Sequence, residues 1–195
     1  MRIVGTDAVE VERALLGGEL GCPECGGRLA PWGWAGWRVV RAGGKEEERR
    51  PRRSRCAGCD ATHVLIAADM LPRRRDVVAV IGAALMARAR GLSVRQAAAG
   101  IVGVTVSTVR GWLRRFAANA EQVRVLFTVL AHDLDPLLAP IAPTGTAVGD
   151  AVEAIAVAAR AASLRLAPVE PWQFASMASQ GRLLCNTGCL YRPSV

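Results

Sequence analysis

Cys22-Pro23-Glu24-Cys25-Gly26 and, after about thirty residues, Cys56-Ala57-Gly58-Cys59 form two C-x2-C pairs. Two thiolates separated by two residues can share one tight turn with both sulfurs aimed at a common centre, and Gly26 permits the backbone turn that directs amides toward them. Two such turns complete a tetrahedral four-sulfur shell, so Cys22, Cys25, Cys56 and Cys59 are the expected ligands of one structural ion. Zinc is the expected occupant, because a closed thiolate shell suits an ion without redox chemistry. Four buried thiols or two disulfides are the plainer alternative. Two matched pairs in one short span weigh against it.

The charge of the chain is as uneven as its cysteines. Its formal net charge is +8, yet residues 1–40 and 119–195 are each near −1, whereas residues 41–118 carry sixteen basic and six acidic side chains. A basic block between near-neutral ends reads as a polyanion-binding face, and double-stranded DNA is the expected partner. A solvated arginine-rich surface is the alternative. With 195 residues and 51% hydrophobic side chains the chain can bury one core or two small ones. Residues 1–20 carry Asp7, Glu10, Glu12 and Arg13 in place of a basic start and an apolar run, so no secretory leader is expected. The most apolar run, residues 77–87, is about half the length a membrane span requires. A cytoplasmic, nucleoid-associated protein with reduced thiols follows as the expectation.

Four segments are expected. Residues 1–21 form a short strand or tail and one amphipathic helix over 8–16, capped by Asp7 with Glu10 and stopped by Gly17-Gly18. Residues 22–71 form a small β zinc ribbon: Trp32 and Trp34 alternate with small residues, residues 37–41 are extended, and Ala42-Gly43-Gly44-Lys45 turns the chain. Residues 46–55 return toward the second cysteine pair, and residues 62–66 add a strand. So little apolar material relies on its metal to fold. His63 follows Cys59 closely, but four thiolates already complete the shell and a structural role is expected. Rubredoxin-type iron carriers also use two such pairs; they tend to be acidic, whereas this insert is basic.

Residues 72–118 are expected to hold three helices ending in a helix-turn-helix. Pro72 and Asp76 open the first, which runs to about residue 90; Ser93 caps the second, to about residue 102; Gly103 makes the turn; Thr105 caps the third, over 106–118. Ala99 is placed where two helices cross, Gly103 at the turn, and Val109 and Trp112 inward. On the third helix Val106, Val109, Leu113 and Phe116 share the core face, leaving Ser107, Thr108, Arg110, Arg114 and Arg115 outward. That outward set suits DNA recognition, with hydroxyls near the helix start for phosphates or base edges and arginines for guanine or backbone. An ordinary solvated basic face is the alternative reading. Gly100 and Gly111, read as lying inside helices, each cost about 1 kcal/mol in propensity.

Residues 119–195 read as helical. A stripe of Val123, Leu126, Phe127, Leu130, Leu134 and Leu137 ends at Pro136 and Pro140; Asp150 with Glu153 resembles a capping box for a helix to about residue 166, with Val152, Ile155, Ala159 and Leu166 on one face; Pro171 opens a last helix with Trp172 and Met177. Cys185 and Cys189 lack a partner pair and read as spare thiols. His132, Asp133 and Asp135 read as a polar helix end, not as a catalytic cluster. No enzyme is expected, because metal-dependent strand transfer needs several carboxylates around two ions and the acids here are scattered. No small-molecule substrate is evident.

The segment Cys22-Pro-Glu-Cys-Gly with Arg-Arg-Ser-Arg-Cys56-Ala-Gly-Cys59 resembles the zinc ribbon that opens many insertion-sequence transposases. The whole chain is similar to a family of high-GC bacterial proteins with this ribbon, the segment Ser107-Thr-Val-Arg-Gly-Trp-Leu-Arg-Arg-Phe116 and an Asn186-Thr187 near the end. That family's association with transposase genes implies an accessory or end-recognition role in a mobile element, with a transposase or a second copy of the chain as protein partner. A transcription regulator dimerising through its C-terminal helices is the alternative. From another class, a rubredoxin-like redox or protein-binding adaptor module remains open.

Overall fold

A computed structural model describes residues 1–185: helices are its largest component, though they cover less than half of those residues, and the strands are confined to residues 2–67. Cys189 and Asn186-Thr187 lie outside the described residues. Strand β1 (Arg2–Val4) is followed by α1 (Ala8–Gly17), then β2 (Leu29–Trp34), β3 (Arg38–Ala42), β4 (Lys45–Arg49), β5 (Arg52–Cys56) and β6 (Thr62–Ala67). Helices α2 (Val78–Ala89), α3 (Val94–Ala99), α4 (Val106–Leu134), α5 (Ala147–Arg165) and α6 (Pro171–Ala178) complete the chain. Among the described residues no helix is long and apolar enough to cross a membrane.

The strands form two sheets. One has the order β1-β6-β5-β2, with β1 parallel to β6 and the other pairs antiparallel; the other is the β3-β4 hairpin. Gly43 and Gly44 both take positive φ at its tip, the conformation a two-residue hairpin turn needs. Helix α1 starts where expected, with Asp7 accepting from the Val9 and Glu10 amides, and Gly18 ends it in the left-handed region. Its Leu15 packs with Val4, Leu29, Leu65, Cys22 and Cys56 in a small cluster beside the cysteines.

The helices share a larger core. Phe116, Val123 and Phe127 of α4 meet the alanine face of α5, formed by Ala151, Ala154 and Ala158, with Ile81 and Leu85 of α2 and Trp172 of α6. Small side chains on α5 let α4 approach closely along its length.

Several expectations are corrected. The helix starting at Val106 does not end near residue 118 but continues to Leu134, merging with the stripe that begins at Val123. Residues 117–122 contain no breaker, and Ala120 is buried against the shared core, so nothing interrupts the helix. Ala99 is exposed, and Ala97 and Ala98 are the buried alanines of α3. Helix α3 stops at Ala99, with Gly100 as its C-cap and a Ser93–Gln96 capping box at its start. Val106 is exposed because it is the first residue of α4, before the helix reaches the core. Asp76 does not cap α2; its carboxylate is taken by Arg41 at 2.9 Å, and Val77 at the N-cap makes no side-chain cap. Helix α5 starts earlier than Asp150, at a Thr146 cap, while Asp150 accepts from the Thr144 amide and hydroxyl. Leu166, past the last turn of α5, is exposed.

Candidate metal centre and basic surface

The two cysteine turns are built alike. Cys22 N donates to Gly27 O and Gly26 N to Cys22 O; in the second turn Cys56 N donates to Ala61 O and Asp60 N to Cys56 O. The fourth residue after each leading cysteine takes a left-handed conformation, Gly26 at φ 73° and Asp60 at φ 59°. Asp is among the few side chains that tolerate this region, and Arg55 holds its carboxylate at 3.1 Å. Amides of Glu24, Gly27 and Gly58 point at Cys22, Cys25 and Cys56 at 3.3 to 3.4 Å.

The four sulfurs therefore converge, all within 4.8 Å of one another, with Cys22–Cys59 at 3.8 Å and Cys25–Cys56 at 3.4 Å. A tetrahedral ion with bonds of about 2.3 Å places its sulfurs about 3.8 Å apart. The cluster fits one metal ion with little movement and is compatible with a structural zinc. Cys22 and Cys56 are buried, whereas Cys25 and Cys59 face solvent. At Cys56 the Cys59 amide outweighs burial and, with the Gly58 amide and two neighbouring thiols, lowers the thiol to about 7. At Cys59 the Ala61 amide favours the thiolate, but hydrogen bonding to Cys25, burial and the other two thiols push it up to about 12. Four neighbouring sulfurs resist ionising together unless a cation joins them.

His63 is buried with Nε2 3.3 Å from Cys22 Sγ, and burial holds its pKa below the usual value. It stands behind a cysteine, where an outer-shell hydrogen bond orients a ligand. Gly27 has a role that sequence alone does not signal: a Cβ there would lie 3.0 Å from Cys56 Sγ and 3.2 Å from Cys25 Sγ.

The basic side chains gather around the start of α4. Thr105 caps the helix, accepting from the Thr108 amide, and its hydroxyl lies 2.9 Å from those of Ser107 and Thr108. Ser107, Thr108 and Arg115 line a depression of about 280 Å³ together with Arg41, Arg73, Arg74 and Arg75. Arg115 lies along its own helix and donates to Gly111 O at 3.1 Å. Arg110 and Arg114 are exposed but do not line this depression. Val109 and Trp112 are buried, as expected, and Gly103 makes the turn at φ 75°.

Arg73, Arg74 and Arg75 contribute to the central charge, but sequence alone does not single them out. Their triplet after Pro72 was the available signal; its position beside α4 depends on chain packing. Arg74 has its pKa lowered by burial and by Arg115 and Arg73, and its Nε is buried without a partner. Asp76, which also lines the depression, pairs with Arg41, and Glu46 pairs with Arg75 at 3.4 Å, whereas among the described residues no carboxylate pairs with Arg73, Arg74 or Arg115. These three neighbouring cations favour an external anion.

Other expected sites are less elaborate. Asp135 is the C-cap of α4 and its carboxylate accepts from the Leu137 amide. The backbone carbonyl of Cys185 accepts from Asn119.

In a comparison with known families, residues 22–118 match a domain of unknown function (DUF6431). That span begins at the first metal-type cysteine and ends within α4, so it holds both the sulfur cluster and the arginine depression. No curated protein and no solved structure shows significant similarity to the chain.

Proposed function

We propose that this chain is a double-stranded DNA-binding protein in which one structural zinc ion organises an N-terminal ribbon and the helices α2, α3 and α4 act as a helix-turn-helix. The observation that carries this reading is the convergence of Arg41, Arg73, Arg74, Arg75 and Arg115 on the two hydroxyls at the start of α4. Phosphates would occupy that depression, while Arg110 and Arg114, one turn apart on the exposed side of α4, would reach base edges in the major groove. In this arrangement the backbone contacts set the register and the helix reads the sequence. The likeness of the cysteine segment to transposase ribbons supports an accessory or end-recognition role in a mobile element, binding rather than catalytic.

Zinc-loaded protein should bind duplex DNA with log affinity falling against log salt at a slope of roughly −5, if five or six phosphates are neutralised. R73A/R75A should flatten that slope by about 2, one unit for each lost phosphate contact. R110A/R114A should relax sequence preference instead. Duplex binding absent at every salt concentration would overturn the reading in favour of an adaptor, and iron-thiolate absorption in the purified protein would favour a redox carrier. A two-fold symmetric footprint would place the protein among dimeric regulators.

A further inference from the structure

The chain has two kinds of tryptophan. Trp112 and Trp172 are buried in the helical core, whereas Trp32, Trp34 and Trp37 are 51%, 51% and 65% exposed. The exposed three lie within six residues, on the edge strand β2 and in the loop that follows it. Exposing three indoles side by side is costly and marks a contact surface.

Each of these indoles carries a guanidinium. Arg55 stands 4.8 Å from the Trp32 ring, Arg52 4.7 Å from Trp34 and Arg50 5.8 Å from Trp37. The guanidinium groups are held there by other partners. Arg52 is gripped by both carboxylate oxygens of Glu12 and donates to Gly33 O; Arg50 donates to Ala35 O; Arg55 pairs with Asp60. The surface is therefore built in advance, and binding need not order it. Glu12 and Asp60 thereby offset Arg52 and Arg55, whereas among the described residues no carboxylate pairs with Arg50. Trp34 is also one wall of a cavity of about 520 Å³ floored by Val4, Val11, Leu65 and Met70. That size admits a single flat heteroaromatic ring system with its substituents.

We infer that the Trp32–Trp34–Trp37 edge, with Arg50, Arg52 and Arg55, is a binding platform for single-stranded DNA. Unpaired bases stack on indole and guanidinium planes, and Arg50, the platform arginine without a carboxylate partner among the described residues, attracts the phosphates between them. A duplex keeps its base faces stacked and has nothing to offer the indoles. An acidic peptide matches the charge but leaves the three rings unused, so the nucleic acid is the better fit. This platform does not depend on the duplex contact proposed for α4: the two use different residues and different forms of DNA.

The test uses zinc-loaded full-length protein and a twenty-nucleotide oligothymidylate. Binding should quench tryptophan fluorescence. W32A/W34A should weaken it about 10- to 100-fold, as expected for losing one or two stacked bases, while changing duplex affinity less than twofold. Because alanine variants can also disturb folding, W32F/W34F and W32L/W34L provide a second comparison at equal zinc content and melting temperature. Phenylalanine, which keeps a ring face, should retain most of the affinity and leucine should not. No binding to the oligonucleotide, binding without quenching, or equal affinity of the phenylalanine and leucine variants would each overturn the platform. So would a polyglutamate peptide that binds as tightly as the oligonucleotide. Loss of duplex binding with oligonucleotide binding intact would instead count against the α4 reading alone.

Discussion

Two glycines inside helices show how the same substitution takes opposite signs. Replacing a helical glycine by alanine gains about 1 kcal/mol in propensity where the side chain has room. In α2, a Cβ at Gly82 would fall inside the buried Trp172 indole. The ring is rigid and enclosed, so it must be displaced, and overpacking of this kind costs about 1–3 kcal/mol. In α4, a Cβ at Gly111 would meet only the far end of the Arg115 side chain, at 3.0 Å. That guanidinium can swing outward at little cost. G82A should therefore destabilise the protein by about 1 kcal/mol net, and by about 2 kcal/mol where the ring cannot relax, and G111A should stabilise it by a few tenths to about 1 kcal/mol. Urea unfolding of the two variants checks both. Equal signs would mean that packing at Trp172 is looser than its burial indicates.

At the scale of elements, a metal ion held by the four cysteines should matter to the sheet far more than to the helices. Cys22 and Cys56 belong to a cluster of six buried residues, separate from the core in which α2 to α6 pack. Removing the ion, or introducing C56S, should loosen β2, β5 and β6 while most helical circular dichroism at 222 nm survives. Because the ligands bind as thiolates, acid competes with the metal, so its release should be promoted as pH falls. A single cooperative loss of sheet and helix on chelation would show that the two cores fold as one. What was legible in sequence follows the same division. The cysteine turns, the Gly43-Gly44 hairpin and the Asp7, Ser93 and Thr105 caps were readable because each is decided by a few neighbouring residues. The length of α4 and the parallel pairing of β1 with β6 were not, because distant partners decide them. The start of α5 rests on a local signal, the Thr146 hydroxyl that accepts from the Gly149 amide, which competes in sequence with the Asp150-Glu153 pattern. Among three consecutive alanines at 97–99, periodicity cannot choose which pair is buried; packing chose Ala97 and Ala98.

For the whole molecule, the decisive feature is how the sheet half is fixed to the helical half. Arg41 of β3 touches two segments: its Nη2 meets Asp76 at 2.9 Å and its backbone pairs with the flanking Arg75 and Val77, while its Nη1 donates to Gly103 O at 3.2 Å. The hairpin tip lies against the same turn, since a Cβ at Gly44 would be 2.8 Å from Val102. Asp76 is only 4% exposed and Arg41 28%, so the ion pair is largely shielded from water. Removing one member of a buried pair costs about 3–5 kcal/mol; the partial exposure of Arg41 reduces this to about 2 kcal/mol for D76N. Its effect on the proposed duplex binding separates two accounts. By charge alone, removing a carboxylate from a basic depression should tighten the hold on a polyanion. If instead the pair aligns Arg41 and the arginine triplet with the start of α4, D76N should weaken duplex affinity several-fold despite the added positive charge. R41A/D76A should then lose less stability than the two single variants together, because the pair is removed as a unit. Tighter duplex binding by D76N would show that the joint adds charge but does not hold the two halves in register.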